Sequence, residues 1–301
     1  MNKQKSFTLI ELLIVIVIIG ILAGVIMIST SSSIDKANFA KAQAFSKTVQ
    51  NELLLNLVSE WTFDEPEVLG KTKDSWGNNH GTLMGTPQYY NSSSGNCVFG
   101  GCYSFNGSSN YINIDFPNEL IGFTTQDFTI SFWMNAKTFS GQSTYKRIID
   151  ITETISPANN FQFAGSSADG QLQFYGHKET VIYRKATNPS AISLNKWIYI
   201  IGIWKTNNNT PYLYLNTVQQ NNSGSGTPTA TLNNSFNIGR RADGELTSYF
   251  DGSLDDLRIY NAALSLSQIK QNYISGLDSL LSQKSISKED YNQRINELAY
   301  E

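Results

Sequence analysis

The sequence has very little histidine and cysteine, two residue types that enzymes often use as bases, nucleophiles and metal ligands. Its 301 residues include two histidines and two cysteines. Nothing in the sequence links His80 or His177 to the nucleophile and acid that a catalytic triad requires. We therefore expect a protein that is not an enzyme. We expect His80 to serve structure in a turn and His177 to be solvated in another.

Charged residues are scarce as well, at 16% of the chain, and the formal net charge is −3. Nucleic-acid binding requires a basic face, so this slightly acidic chain is not expected to bind nucleic acid. The uncharged remainder is rich in Asn, Ser, Thr, Gly and Tyr. That composition is typical of an extracellular β domain rather than of a cytosolic enzyme.

Proline is missing from the first 65 residues, and charge is nearly missing from residues 7–28. The first proline is Pro66, and residues 7–28 carry a single charge, at Glu11. About 20 apolar residues at ~1.5 Å per residue span ~30 Å, which is enough to cross a bilayer as a helix. Apolar residues then continue at intervals of three to five. We predict one long helix over 7–58, transmembrane at about 7–28.

The residues around Glu11 resemble the type IV prepilin signal. The segment Phe7-Thr8-Leu9-Ile10-Glu11-Leu12-Leu13 follows a short leader, residues 1–6. The resemblance implies cleavage between Ser6 and Phe7 by a prepilin peptidase, N-methylation of Phe7, and assembly with other pilin subunits. It also implies that Glu11 pairs with a neighbouring amino terminus, since a carboxylate in an apolar bundle needs a counter-charge. The family nearly always has Gly where this chain has Ser6.

Two other interpretations of residues 7–28 remain open. Lys3 and Lys5 ahead of an apolar run suit an ordinary signal-anchor helix equally well. A cleavable secretory signal fits less well, because the run is long and no small-residue cleavage motif is evident. Each interpretation places the rest of the chain outside the cytoplasmic membrane. We expect a single-pass membrane protein with an extracytoplasmic C-terminal domain, found at the cell surface or in a pilus after assembly.

Cys97 and Cys102 are separated by four residues, and Gly100-Gly101 between them can turn the chain back. On the oxidising side of a membrane we expect a local disulfide between them, with two free thiols as the alternative. A metal site built on these cysteines is not expected, since both histidines lie far off in the sequence.

From Trp61 to about Tyr260 the pattern becomes that of short strands separated by Gly, Asn, Ser and Pro. Within residues 128–134, Phe, Ile, Phe and Met alternate with Thr, Ser and Trp. This alternation, repeated along the segment, predicts an antiparallel β-sandwich of roughly a dozen strands. The predicted fold class is therefore mainly β, with a sandwich over 59–263 and a helical segment over 264–301.

Several of these segments resemble laminin G-like, concanavalin A-like jelly-roll domains. The resemblance spans about residues 57–275, and residues 250–264, FDGSLDDLRIYNAAL, carry it most closely. It implies a jelly-roll fold, although a fold alone does not fix a ligand. Glycosidases also occur on this fold, but the Glu-x-Asp-x-x-Glu pattern of such enzymes, which places carboxylates along one strand, is absent here.

The resemblance also implies two kinds of site. A structural calcium ion would be held by carboxylate and carbonyl oxygens, and the candidate ligands are Asp74, Asp251 and Asp255, with Asp64 behind them. The alternative is that these aspartates cap turns. Sugar sites in sandwich lectins use exposed aromatic and amide side chains, and no single residue is predicted for that role. The pool of aromatic candidates is Trp76, Tyr89, Tyr90, Tyr145 and Tyr249.

Helical patterning returns after Leu264. Ser265 or Ser267 can cap a helix that runs to about Gln283, and Ser287 can cap a second one. This segment resembles the short helical hairpin appended to many bacterial proteins. It is either a protein-contact element or a polar tail with no partner.

The whole chain thus resembles a pilin-like surface protein that displays a lectin-like sandwich for glycans or cell-surface proteins. A sandwich of about 200 residues is bulky for a densely packed major subunit, so a minor pilin or adhesin is preferred. The alternatives are a pseudopilin of a type II secretion system, a membrane-anchored carbohydrate-binding protein that is never processed, and a tethered hydrolase.

Overall fold

The computed structural model describes Thr48 and residues 51–66, 69–91, 94–115, 126–139, 145–153, 159–178, 181–222, 235–241 and 248–298. The predicted leader and transmembrane helix, with Ser6, Phe7 and Glu11, lie outside these residues and stay predictions. No helix among the described residues is long and apolar enough to span a membrane. The long helix was predicted to end at residue 58; residues 51–55 are helical, and a strand begins at Leu57.

The sandwich lies in a compact unit that extends from Glu52 to Glu301. Its described residues form sixteen strands and two helices beyond residue 56. The strands are β1 Leu57–Trp61, β2 Lys71–Thr72, β3 Gly81–Met84, β4 Gln88–Tyr90, β5 Cys102–Asn106, β6 Tyr111–Ile114, β7 Phe128–Thr138, β8 Tyr145–Glu153, β9 Asn159–Ser166, β10 Leu172–Lys178, β11 Val181–Ala186, β12 Ile198–Lys205, β13 Thr210–Leu215, β14 Val218–Gln220, β15 Ser235–Ile238 and β16 Asp251–Tyr260. The helices are α1 Leu266–Ser282 and α2 Lys288–Glu297.

The strands form two eight-stranded sheets, and every strand pairing among the described residues is antiparallel. Sheet A has the order β14-β13-β12-β7-β16-β5-β4, with β1 also paired to β16. Sheet B has the order β11-β10-β9-β8-β15-β6-β3-β2. The predicted antiparallel β-sandwich is therefore confirmed.

Aromatic side chains from both sheets interlock in the core between them. Phe128, Ile130, Phe132 and Met134 of β7 all point into this core, as their alternation predicted. Phe132 meets Phe163 of sheet B edge to face, with ring centroids 5.0 Å apart. Each such contact stabilises the packing by about 0.5–1.5 kcal/mol beyond the burial of apolar area. These contacts therefore help to fix how the two sheets pack against each other.

Helix α1 covers the outer face of sheet A. Trp133 and Tyr199 point outward from this sheet, and the ring of Tyr273 on α1 stacks against Trp133 at 5.7 Å. Gly276 makes this approach possible, because a Cβ there would meet Trp133 Cζ2 at 2.1 Å. Helix α1 is therefore part of the domain and not a free tail.

Serine caps start both C-terminal helices, as the sequence predicted. Ser265 caps α1 in a reciprocal capping box with Gln268, and Ser287 caps α2. Helix α2 has no buried residue and is tied back to α1 by the Tyr291 hydroxyl, which donates to Asp278 Oδ1 over 2.7 Å.

The predicted disulfide between Cys97 and Cys102 is confirmed, with Cα atoms 5.4 Å apart. The loop that it closes lies between β4 and β5 of sheet A and contacts α1. The Val98 carbonyl accepts hydrogen bonds from Ser279 Oγ and from Gln283 Nε2 at the end of α1, over 2.5 and 2.9 Å. The disulfide thus fixes the geometry of a docking point for the C-terminal helices.

Candidate functional site

A continuous row of polar side chains crosses the outer face of sheet B. Residues that pair directly across neighbouring strands lie on the same face, and one such set runs over seven strands from β3 to β11. We call it the polar row: Thr82, Asn113, Asn237, Asp150, Gln162, Tyr175 and Arg184. With strands about 4.8 Å apart, the row is about 30 Å long.

The middle of the polar row is buried although it lies on the outer face of a sandwich sheet. Asp150 and Gln162 are 0% exposed, and Tyr175 and Asn237 are 3% exposed. Asn113 and Arg184, towards the two ends, are only half-buried. Outward-facing residues of a sandwich are ordinarily polar and solvated. This face is therefore as polar as a protein surface but as buried as a core in its middle. Asn113, near one end of the row, is partly accessible to solvent.

Hydrogen bonds link neighbours within this face but leave several buried polar atoms unused. Asn113 Nδ2 donates to Asn237 Oδ1 over 2.9 Å, and the Tyr175 hydroxyl donates to Gln162 Oε1. Burial raises the pKa of Tyr175 far above its usual value, so its hydroxyl stays protonated. Within the part of the chain that the structure describes, Asn160, Gln162 and Gln173 each keep at least one buried amide atom without a partner.

Two arginines make cation–π contacts with tyrosine rings beside the polar row. The Arg147 guanidinium lies 5.4 Å from the Tyr145 ring and 5.7 Å from the Tyr175 ring. The Arg240 guanidinium lies 4.7 Å from the Tyr111 ring and 5.4 Å from the Tyr249 ring.

These two stacks form one continuous group, since a backbone bridge joins Arg147 to Tyr249. We call it the arginine–tyrosine strip: Tyr111, Tyr145, Arg147, Tyr175, Arg240 and Tyr249. Tyr111, Tyr145 and Arg240 are half-buried and hence partly accessible. The strip and the polar row share Tyr175, so together they make one candidate binding face.

The three predicted calcium ligands have separate partners. Asp74 accepts four backbone hydrogen bonds, from Glu60, Trp76, Gly77 and Asn79. The other two differ: Asp255 binds the disulfide loop, and Asp251 lies 3.9 Å from Lys137 Nζ. No group of three or more His, Cys, Asp or Glu among the described residues could hold a metal ion. Calcium binding stays a prediction.

The structure divides the pool of aromatic candidates. Tyr145 and Tyr249 belong to the arginine–tyrosine strip. Tyr89 and Tyr90 lie on β4, at the edge of sheet A, and Trp76 is half exposed in the loop after β2. Of the two histidines, His80 accepts a hydrogen bond from the Asp74 amide over 3.1 Å, and the side chain of His177 lies outside the described set.

A polar cavity of about 540 Å³ lies where the C-terminal helices meet the sandwich. Trp197, Asn135, Asp290 and Arg294 are among the residues that line it. Arg294 is already engaged, since its guanidinium pairs with Asp290 at 3.0 Å and donates to the Trp197 carbonyl. The cavity therefore offers fewer unused polar groups than the face of sheet B.

Comparison with known proteins agrees with the fold and with the chain's two parts. The concanavalin A-like lectin/glucanases superfamily matches residues 106–270, more than half of the chain, so the chain belongs to that superfamily. The prokaryotic N-terminal methylation motif of type IV pilins matches residues 1–27. The comparison with curated proteins gave no match.

Solved structures of similar fold include domain 4 of AbnA, a GH43 extracellular arabinanase from Geobacillus stearothermophilus, in complex with arabinotriose. It is 23% identical with a TM-score of 0.53, and the match covers 71% of this chain and 97% of that one. The binding domain of Paraclostridial Mosquitocidal Protein 1 is 20% identical (TM-score 0.54), over 75% of this chain and 53% of that one. The binding domain of botulinum neurotoxin serotype D is 14% identical (TM-score 0.55), over 75% and 53%. At these identities the likeness concerns the fold alone.

Proposed function

We propose that this chain is a type IV pilin-like surface protein whose sandwich binds a glycan through the outer face of sheet B. The observation that carries the proposal is the polar row, a set of amide, hydroxyl and charged side chains aligned over seven strands. Sugars present many hydroxyl groups, which can exchange hydrogen bonds with an amide such as that of Asn113, a half-buried member of the row. The N-terminal methylation motif supports the pilin-like part of the proposal, and membership of the concanavalin A-like lectin/glucanases superfamily supports a sandwich that contacts sugars.

Binding without hydrolysis is the chemistry that this face supports. Asp150 is the one carboxylate in the polar row. Retaining and inverting glycosidases both use a pair of carboxyl groups on either side of the scissile bond. The role that fits best is that of a minor pilin or adhesin anchored in the cytoplasmic membrane before assembly. A pseudopilin, or an anchored carbohydrate-binding protein that is never processed, would share the sandwich and differ in the fate of the amino terminus.

The proposal predicts that a change on the polar row weakens glycan binding. The full chain, purified in mild detergent, is applied to an array of neutral and acidic glycans. Asn113→Ala removes one amide at the accessible end of the row and should weaken binding about fivefold, the equivalent of one hydrogen bond of about 1 kcal/mol.

Gln219→Ala is the matched control, because Gln219 is an exposed amide on β14 of sheet A. It should bind like the wild type. A wild-type chain that binds no glycan on the array, or an Asn113→Ala variant that binds as well as the control, contradicts the proposal.

A further inference from the structure

The arginine–tyrosine strip carries positive charge without acidic partners among the described residues. The side chains of Arg147 and Arg240 lie in no ion pair there, whereas Arg258 and Arg294 pair with carboxylates at 2.8–3.0 Å. Arg147 is only 3% exposed, and its Nε and Nη1 atoms, together with Arg240 Nε, have no hydrogen-bond partner in that part of the chain. These unused donors sit on a face already suited to a ligand.

A buried guanidinium with unpaired N–H donors lowers the stability of the folded state. Burying a charge disfavours folding unless the charge is paired, and each unpaired donor forfeits a hydrogen bond that water would have supplied. The tyrosine rings recover part of that cost by cation–π attraction to the flat face of each guanidinium. They leave Nε and Nη1 of Arg147 and Nε of Arg240 unused. Carboxylate and sulfate oxygens are strong acceptors for such charged donors.

We infer that the glycan bound by this face is acidic and that its carboxylate or sulfate group lies between Arg147 and Arg240. The inference rests on the proposed function and names the class of sugar that the face selects. Arg240 is half-buried and would meet the anion first, with Arg147 behind it. Tyr111 and Tyr145 would flank the sugar ring beside the charge.

The overall charge of the chain favours recognition of a single acidic group over attraction of a polyanion. The formal net charge is −3, so no long-range positive field surrounds the molecule. Selectivity would therefore come from the two arginines at short range. This distinguishes the strip from a diffuse basic patch, which would bind any polyanion.

The experiment compares three forms of one oligosaccharide series on the full chain in mild detergent. The probes are a uronic acid oligomer, its carboxyl-reduced neutral form, and a sulfated derivative of that neutral form. Acidic probes should bind about tenfold more tightly than the neutral form, as expected for hydrogen bonds to a charged group. Carboxylate and sulfate arms tell the two anions apart, and raising the salt should weaken acidic binding only.

Variants of the arginine–tyrosine strip test whether its arginines cause the preference for acidic probes. Arg240→Gln should reduce acidic binding to about the level of the neutral form, and Arg240→Lys should fall between the two. Arg147→Gln provides a second test. Lys205→Gln is the matched control, since Lys205 Nζ lies over the Tyr212 ring at 5.5 Å on sheet A. Thermal unfolding of each variant confirms that it is folded.

The outcomes separate the two proposals. Equal binding of acidic and neutral probes, unaffected by Arg240→Gln but weakened by Asn113→Ala, overturns the acidic class and keeps the glycan-binding proposal. Acidic binding that falls equally in Lys205→Gln and Arg240→Gln also overturns the assignment to the strip. An array on which no glycan binds overturns both.

Discussion

Asp255 illustrates how a single buried carboxyl organises the disulfide loop. It is 0% exposed, and its Oδ2 atom accepts hydrogen bonds from the amides of Val98 and Phe99, over 2.7 and 2.9 Å. Its Oδ1 atom has no partner within the described residues. Burial raises the pKa of Asp255 well above its usual value, although the two amides oppose that shift. The neighbouring carboxyl, Asp256, follows the same direction, and burial raises its pKa to about 6.

These shifts predict that the sandwich loses stability as the pH rises. A carboxyl whose pKa is higher in the folded state binds its proton more tightly there. Its contribution is therefore fully present below pH ~4 and is lost as the pH rises through the folded pKa. In Asp255→Asn this loss is absent. The free energy of unfolding, measured with urea from pH 4 to pH 7, should thus fall less with pH in the variant than in the wild type.

Asp115→Asn, at an exposed position directly after β6, is the control and should follow the wild-type curve. Asp255→Ala should be about 2 kcal/mol less stable than Asp255→Asn at every pH, because two buried amides are left without an acceptor. Parallel curves for the wild type and Asp255→Asn would show that Asp255 does not titrate between the two states.

At the scale of elements, Gly276 decides how closely α1 approaches sheet A. Alanine is the better helix former by about 1 kcal/mol, but its Cβ would overlap Trp133. We expect Gly276→Ala to destabilise the chain by about 1–3 kcal/mol, the usual cost of overpacking. Urea unfolding at pH 7 measures the change.

Ser275→Ala is the neighbouring control on the exposed side of α1. Its free energy of unfolding should stay within about 0.5 kcal/mol of the wild type. A Gly276→Ala variant as stable as this control would mean that α1 can move away from Trp133 at no cost.

The strands and the helix caps were predictable because each depends on residues close together in the sequence. The alternation over residues 128–134, the Ser265 cap and the Cys97–Cys102 pair are examples. The polar row was not predictable, because it depends on which strands are neighbours and in what register. Asn237 and Asp150 meet only because β15 pairs with β8.

Arg147 and Arg240 were missed for the same reason. Tyr145 lies two residues before Arg147 on β8, a spacing typical of one strand face. Tyr111, Tyr175 and Tyr249 come from three other segments, so no sequence spacing relates the group as a whole. One signal was present: the outward positions of β9 and β10 carry Asn160, Gln162 and Gln173 rather than the serines and threonines common on exposed strands. These large amides at outward positions were the one sequence feature that distinguished this face from an ordinary solvated one.

At the scale of the whole molecule, the proposed pilin role predicts how the amino terminus is processed. If the chain is processed as a pilin, intact-mass analysis of the protein from its native membrane should show N-methylated Phe7 as the first residue. Glu11→Ala should still be cleaved but should be depleted from the sheared filament fraction, since its carboxylate would no longer pair with a neighbouring terminus.

Asn2→Ala, in the leader, is the control and should appear in filaments at the wild-type level. A wild-type chain that keeps residues 1–6 would instead mean a static anchor. An equal yield of Glu11→Ala and Asn2→Ala in the filament fraction would show that Glu11 does not guide assembly.

The position of β1 determines how the sandwich would carry mechanical load. Tension transmitted along the chain from before Leu57 reaches β1 first, where pairing with β16 and the Glu60–Arg258 ion pair at 2.8 Å resist it. Trp61, 0% exposed, anchors the far end of that strand in the core. The polar row lies on the other sheet, off this force path. If the chain is anchored and binds a ligand as proposed, tension from the amino-terminal side would strain β1 before it disturbs the proposed binding face. Binding would then persist after the first strand has yielded.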